Sequence, residues 1–469
     1  MPTISAIFRV LLIALEVVAI FNLIIIVHEL GHFLAAKWRG LVIEGFGVWF
    51  GKPLWEKKIG GVTYSLGSIP AGGFVKLPQL ANGAIEGDLE TPAEELPPLK
   101  PLDKIIVAVA GPLFSFFLAL TMATLVWAIG KPTSDMETST TIGFIEKGGP
   151  ADLAGLKIGD EILEVDGHAV TKFGGPLHSV TWAIVSSEGE KIAFKIKRAD
   201  EVLTIYSGWV KEETEGWRRK SLRKVMIGPR LEPWIGEVAK DSPADKAGLR
   251  VGDLVTAANG KPITTLHDLD DALEHDATAT ITFTVKRGDG TFTASLTPQK
   301  PAGAKSPDDI EIGIAWGRVV IVHPGPWSQV VDAALAIRNM VGALFSKSDV
   351  KLQHFSGPVG IMNVYAHLFQ SDDGWRMALA FSVFFNVNLA ILNMLPFPVL
   401  DGGHITLALL EIVRRKPANQ RILEALQTGC VLLLLGFMLY VSFFDVGDLF
   451  SSKKAHAAPT PAPAAQPAK

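Results

Sequence analysis

Four runs of mostly apolar residues, each long enough to cross the roughly 30 Å hydrocarbon core of a bilayer, constrain this 469-residue chain more than any other feature. They are Ile4–Val27, interrupted by Arg9, Glu16 and Asn22; Ile105–Ile129, without a charge; Met377–Leu395, uncharged and carrying the amides Asn386, Asn388 and Asn393; and about Ala425–Phe444. One such run could be a buried helix of a large soluble protein. Four of them, at mean hydropathy +0.30 and 48% hydrophobic residues, predict a polytopic α-helical membrane protein with four transmembrane helices.

Basic residues set the expected orientation. Lys37, Arg39, Lys52, Lys57, Lys58, Lys76, Lys100 and Lys104 lie between the first two runs, and Arg414, Arg415, Lys416 and Arg421 between the last two. Both connections are therefore expected on the cytoplasmic side, with the long middle segment and both termini outside. Lys453 and Lys454 run against this. No cleavable signal peptide is expected, because the N-terminus lacks a basic start before a short apolar core. The formal charge of −4 gives no basic bias toward nucleic acid, and the single cysteine, Cys430, excludes an intramolecular disulfide.

The middle segment repeats itself. "GPADLAGLKIGDEILEVDG" (Gly149–Gly167) recurs as "SPADKAGLRVGDLVTAANG" (Ser242–Gly260), 93 residues later. Strand-like alternations, "KIAFKIKR" (Lys191–Arg198) and "TITFTVKR" (Thr280–Arg287), follow each copy. The pattern resembles the PDZ domains of bacterial envelope proteases, which bind an extended peptide or chain terminus at a sheet edge; a pair of spacer domains is the other reading. Envelope serine proteases with such tandems need a G-x-S-G or G-x-S-x-G turn, which this chain lacks. Its chemistry lies elsewhere.

"IIIVHELGHFLAA" (Ile24–Ala36) places two histidines and a glutamate at the end of the first apolar run. On a helix His28 and His32 share a face one turn apart, where both imidazoles can hold one metal, with Glu29 near enough to act on a bound water. Two core or capping histidines, or a soluble zincin, are the alternatives. Zinc in a catalytic site needs a third protein ligand. "NMLPFPVLDGGH" (Asn393–His404) supplies a candidate at the end of the third run, at the same expected depth. There Pro396 and Pro398 cannot continue a helix and Gly402–Gly403 permit a turn, which would bring Asp401 inward. Asp401 capping a helix that starts near Gly402 is the plainer possibility. Glu16 lies about 120° from His28 around the helix and is not expected to be a ligand.

Taken together, H-E-x-x-H in the first span, N-x-x-P-x-P-x-L-D-G in the third and two intervening PDZ-like domains resemble the site-2 protease family. The resemblance implies four transmembrane helices with a membrane-associated β-hairpin and two inserted PDZ-like β-rich domains. It implies His28, His32 and Asp401 as ligands of Zn2+, Glu29 as catalytic base, and Asn393, with Pro396 and Pro398, as substrate contacts. "FGVWFGKPLW" (Phe46–Trp55) is similar to the family's membrane-dipping hairpin, with Trp49 where glycine is usual. "AGPLFSF" (Ala110–Phe117) is similar to its small-residue patch, with Ser115 in place of asparagine. "FSGPVGI" (Phe355–Ile361) resembles the segment before the third span. Between them, "YSLGSIPAGGFVKL" (Tyr64–Leu77) offers a strand edge to hold an unwound substrate, with Gly72 and Gly73 allowing close approach.

The expected organisation is a transmembrane helix at 1–36, a membrane-dipping β region and acidic loop at 37–103, a second span at 104–130, and PDZ-like domains at 131–230 and 231–301. A connecting segment at 302–376, a third span at 377–412, a basic loop and fourth span at 413–450 and a disordered tail at 451–469 complete it. The family's implied work is hydrolysis of peptide bonds within single-span membrane proteins already cleaved outside, of the anti-sigma-factor or remnant-signal-peptide type. It implies the bacterial cytoplasmic membrane, PDZ domains outside and an active site near the inner side. The opposing reading is a non-catalytic membrane scaffold that recruits envelope proteins through its tandem.

Overall fold

A computed structural model describes residues 4–80, 96, 99–134, 137–214, 218–273, 279–299, 312–371, 373–416 and 420–455. The acidic part of the 37–103 segment and the Pro/Ala tail lie outside these residues. Two compact units are present: residues 1–131, 322–338 and 355–445, and residues 132–321, 339–354 and 446–469.

Among the described residues, four helices are long and apolar enough to cross a membrane. The first helix, Ile4–Arg39, runs 36 residues, past the apolar run that stops at Val27 and three residues beyond the expected end at 36. Nothing in "HELGHFLAAKWR" breaks a helix until Gly40, which takes φ +74°. His28, Glu29 and His32 therefore sit inside a continuous helix, where their side-chain directions are fixed by the helical period. The second span, Pro101–Ile129, starts with proline in its first turn and stops at Gly130, φ +76°. The third, Gly374–Asn393, ends three residues before Pro396, and a new helix, Asp401–Arg414, begins at the residue after Leu400. The fourth helix spans Gln420–Ala455.

The reversal between Asn393 and Asp401 depends on Gly402 and Gly403. A Cβ at Gly402 would lie 2.3 Å from the Met394 carbonyl oxygen, and one at Gly403 would lie 2.1 Å from that of Phe397. Only glycines let the new helix start against the end of the old one.

Four strands follow the first span: β1 (Gly45–Phe50), β2 (Trp55–Ile59), β3 (Val62–Leu66) and β4 (Ile69–Lys76). They form one sheet in the order β2-β3-β1-β4, with β1 parallel to β3 and antiparallel to β4. The expected Phe46–Trp55 hairpin is thus not a hairpin: it joins β1 to β2, which β3 separates. The hairpin is β2–β3, closed by Gly60 and Gly61 at φ +59° and +87°, the left-handed geometry that tight hairpin turns require. β4 is an edge strand of this sheet.

The second unit contains the two repeats as similarly built β-rich domains. Each has a four-stranded sheet with matching strand order, ending in a very short strand (His168–Ala169 and Lys261–Pro262). A two-stranded pair adds to each: Ile142–Ile145 with Ile227–Pro229, and Ile235–Val238 with Ile314–Trp316. The strand Ile314–Trp316 therefore belongs to the second repeat, beyond the expected boundary at 301. Ile162, Phe194 and Ile196 are buried in one core, Val255, Phe283 and Val285 in the other. The likeness extends to single bonds. Arg198 chelates Asp160 and donates to the Gly155 carbonyl, while Arg287 chelates Asp253 and donates to that of Gly248. The arginine that ends each strand thus fastens the G-L-x-x-G-D loop of its own repeat.

Candidate metal centre

The first helix carries His28 and His32 one turn apart, with their rings edge-on at 4.9 Å between centroids. Their Nε2 atoms are 3.3 Å apart. Asp401, in the first turn of its helix, completes a triangle: Oδ2 is 3.3 Å from His28 Nε2 and Oδ1 is 3.3 Å from His32 Nε2. Each carboxylate oxygen faces one imidazole, and one ligand atom from each of the three residues lies within 4.8 Å of the other two, close enough to share one ion. This is the only such group of three or more potential ligands among the described residues.

The second span holds both imidazoles in place. His32 Nδ1 donates to the Val107 carbonyl oxygen at 2.8 Å, and His28 Nδ1 pairs with the buried Ser115 hydroxyl at 3.0 Å. A carbonyl only accepts, so His32 carries its proton on Nδ1 and turns the Nε2 lone pair toward Asp401. Donation from His28 to Ser115 does the same for the other ring. The Asp401 Oδ2 atom is buried with no hydrogen-bond partner. With both Nδ1 atoms engaged on the second span, the two Nε2 atoms and the Asp401 carboxylate face one another, a nitrogen, nitrogen and oxygen donor set that fits a divalent ion of the zinc class.

Val107, Gly111 and Ser115 recur every four residues and form one stripe of the second span. Its middle position must be glycine. A Cβ at Gly111 would stand 2.2 Å from His32 Nε2 and 2.9 Å from His28 Cε1. Gly31, between the histidines, is as constrained: its Cβ would lie 2.4 Å from the Ala110 carbonyl oxygen. The two glycines let the spans approach closely enough to share the site.

Beside the triangle lies a cavity of about 380 Å³, lined by Glu29, Gly73, Asn393, Lys104 and His404 as well as the three candidate ligands. Glu29 is thus in the same chamber. Asn393 Nδ2 is 3.4 Å from His28 Nε2. β4 borders the cavity so closely that a Cβ at Gly73 would fall 2.9 Å from Ile25 Cγ2 and 3.1 Å from Glu29 Cγ. Gly72, Pro396 and Pro398 do not line the cavity; Gly72, at φ +75°, packs against the Phe50 ring, and the two prolines shape the turn ahead of Asp401. Glu16 is not in the lining either.

Three features went unread in the sequence: the Val107 carbonyl, the steric role of Gly111, and a pair between Lys104 and Glu411. Lys104 Nζ reaches both Glu411 carboxylate oxygens, at 2.9 and 3.1 Å, and ties the second span to the helix bearing Asp401. The spacing of 107, 111 and 115 was the available signal.

A profile of Peptidase family M50 matches residues 16–437. The chain belongs to this family, the site-2 proteases. Relatives match along nearly the whole length. Regulator of sigma-E protease RseP of Escherichia coli is 28% identical over 460 residues, covering 90% of this chain and 96% of that one. Regulator of sigma E protease of Haemophilus influenzae is 26% identical over 443 residues (89% and 95%). A protein of Neisseria meningitidis provisionally named a zinc metalloprotease is 30% identical over 450 residues (91% and 97%). Among solved structures, the PDZ domain of an SdrC-like protein from Listeria monocytogenes covers 19% of this chain and 90% of its own, at 21% identity and a TM-score of 0.17. Family membership makes this chain a membrane metalloprotease.

Proposed function

We propose that the chain is a zinc endopeptidase that cuts peptide bonds within the transmembrane segments of single-span proteins. The observation that carries this reading is the 3.3 Å triangle of His28, His32 and Asp401 with Glu29 in the same cavity. Those three residues would hold the ion. Zinc so held supplies Lewis-acid polarisation of a carbonyl and a supply of hydroxide near neutral pH. Glu29 takes the proton of the attacking water and passes it to the leaving amine. Asn393 donates from its amide to the substrate backbone.

A transmembrane helix hides its amides in its own hydrogen bonds, so cleavage requires a locally extended substrate. The free edge of β4 can pair with such a strand, and Gly73 beside Glu29 lets backbone approach backbone. The names of the relatives support a regulatory substrate of the anti-sigma-factor type; remnant signal peptides have the same single-span form. Basic residues flanking the spans support an inner-side active site and an exported tandem. The tandem, PDZ-like in its repeated motif, would admit stubs trimmed outside and exclude bulky folded ectodomains.

The scaffold reading requires a vestigial site, and it is disfavoured by ligands, oriented second-span partners and a general base all in place. The test is cleavage of a single-span reporter together with zinc content. Glu29→Gln should retain about one zinc and lose at least ~100-fold in rate. Asp401→Ala should lose both. Full cleavage by the Glu29→Gln protein would sink the assignment.

A further inference from the structure

A hydrogen bond links the sheet that borders the metal centre to the first span. The Trp49 indole N–H donates to Asn22 Oδ1 at 2.5 Å, and the Asn22 amide is itself oriented by donating to the Val18 carbonyl at 2.6 Å. Trp49 adopts φ +69°, a left-handed conformation that glycine takes freely and a tryptophan rarely does. The ladder is irregular at the same place. Val48 pairs with Gly73 and Phe50 with Ile69, so Trp49 stands opposite three β4 residues, among them Gly72 at φ +75°.

These features point along one face of one helix. Asn22, Ile25 and Glu29 are spaced three and four apart, so they stack on one side of the first span. Gly73 meets Ile25 and Glu29, and its ladder partner Val48 is the residue before Trp49. The indole therefore anchors the sheet to the helix two turns from Glu29, through the strand pair that carries Gly73. In the bilayer interior such a bond has little water to compete with it.

We propose that Trp49 is a positioning residue: its bond to Asn22 sets the height at which the β4 edge, and any substrate strand on it, meets Glu29. This rests on the proteolytic reading above. At this left-handed position the tryptophan N–H reaches the helix, a bond that a glycine cannot make. A substrate strand would still bind the edge without this bond, but its scissile carbonyl would sit out of line with Glu29 and the metal. The effect falls on kcat more than on KM.

The experiment is kinetic, on the full-length protein with a single-span reporter in detergent and in vesicles. Trp49→Phe keeps a ring and loses the donor; Asn22→Leu loses the acceptor. Each should lower kcat about three- to tenfold, with zinc content and KM near wild type. The double variant should lose no more than either single one, since both remove the same bond. Trp49→Gly relieves the left-handed strain, so it should fold at least as well and still lose kcat. Wild-type kcat in Trp49→Phe or Trp49→Gly, losses that multiply in the double variant, or loss of zinc from any of them would overturn the proposal. Glu29→Gln is run alongside. If it cleaves at the wild-type rate, the cleavage does not run through Glu29 and the site assignment fails whatever Trp49 does; if it is inactive while Trp49→Phe is normal, only the positioning role fails.

Discussion

Gly111→Ala adds one methyl group where the structure has no room for it. The new Cβ would lie 2.2 Å from His32 Nε2, 2.5 Å from its Cε1 and 2.9 Å from His28 Cε1. Ordinary carbon contacts begin at roughly 3.5 Å, so the His32 ring must retreat by about 1.3 Å. It has nowhere to go: its Nδ1 is tied at 2.8 Å to the Val107 carbonyl on the same helix that carries residue 111. Ligand distances in a metal site tolerate about 0.2 Å, so a shift of this size removes His32 as a ligand. Losing a supporting hydrogen bond alone costs about 10–100-fold in metal affinity. Displacing the ligand should exceed that, giving at least ~100-fold weaker zinc binding, or about 2.7 kcal/mol. The assay is zinc retention by the purified full-length protein against a chelator of known affinity, with helical content followed in parallel. Ser115→Ala provides the graded comparison, since it removes the His28 partner without a clash and should fall within the 10–100-fold range. Wild-type zinc affinity in Gly111→Ala with helical content intact, or a larger loss in Ser115→Ala, would refute the reasoning.

Two other outcomes follow from ion pairs. Lys104→Glu and Glu411→Lys should each lower zinc retention and cleavage, because like charges would push the Asp401 helix off the second span; the exchanged double variant should recover much of both, and failure of that rescue would show that the pair does not hold Asp401 in place. In the second repeat, burial raises the affinity of the Asp253 carboxyl for a proton, but hydrogen bonds from Arg287 and the Arg250 N–H outweigh it and hold the group below the usual carboxylate range. The unfolded chain then binds that proton more readily, so the stability Asp253 contributes is complete above about pH 4 and is lost as pH falls further. Hydrogen exchange across Ile281–Leu296 in the full-length protein should show this acid loss in wild type and a shallower one in Asp253→Asn; parallel pH curves would contradict it.

The parts of the site that could be read in the sequence are those with a local period. H-E-x-x-H declares itself because helical spacing alone puts His28 and His32 on one face. Asp401 was legible because prolines and paired glycines force a break whatever surrounds them. The second span gave less. Val107 acts through its carbonyl, so its side chain carries no trace of the role, and the need for glycine at 111 appears only once two distant helices are known to touch. The sheet misled for a related reason. Alternation and Gly60–Gly61 mark β2 and β3, but the parallel pairing of β1 with β3 joins residues 18 apart, beyond what local pattern specifies. Trp49 illustrates the limit from the other side: it looked like a departure at a glycine position, and it is a glycine-like backbone position occupied by a residue with a bond to make.

The remaining question is why so polar a cluster is tolerated on spans of this hydropathy. Ionisable groups in transmembrane segments cost roughly 2.5–3.5 kcal/mol each, so His28, Glu29, His32 and Asp401 together cost about 10–14 kcal/mol. Hydrogen bonds within the protein offset only part of this: His32 has the Val107 carbonyl, His28 has Ser115 and a long contact to Asn393, and Asp401 Oδ2 has no hydrogen-bond partner. Structural zinc sites yield roughly 10–16 kcal/mol in small peptides, about the size of the deficit. A bound ion would therefore stabilise the spans as well as equip them for hydrolysis. The metal would then be part of what holds the first span, the second span and the Asp401 helix together. On this argument the four residues cannot drift separately: a chain that loses the ion keeps the cost of the ligands and loses what offsets it. The same reasoning explains the stripe at 107, 111 and 115. By fixing both rings before the ion arrives, it confines the lone pairs to the one geometry in which a tetrahedral ion can answer all of them.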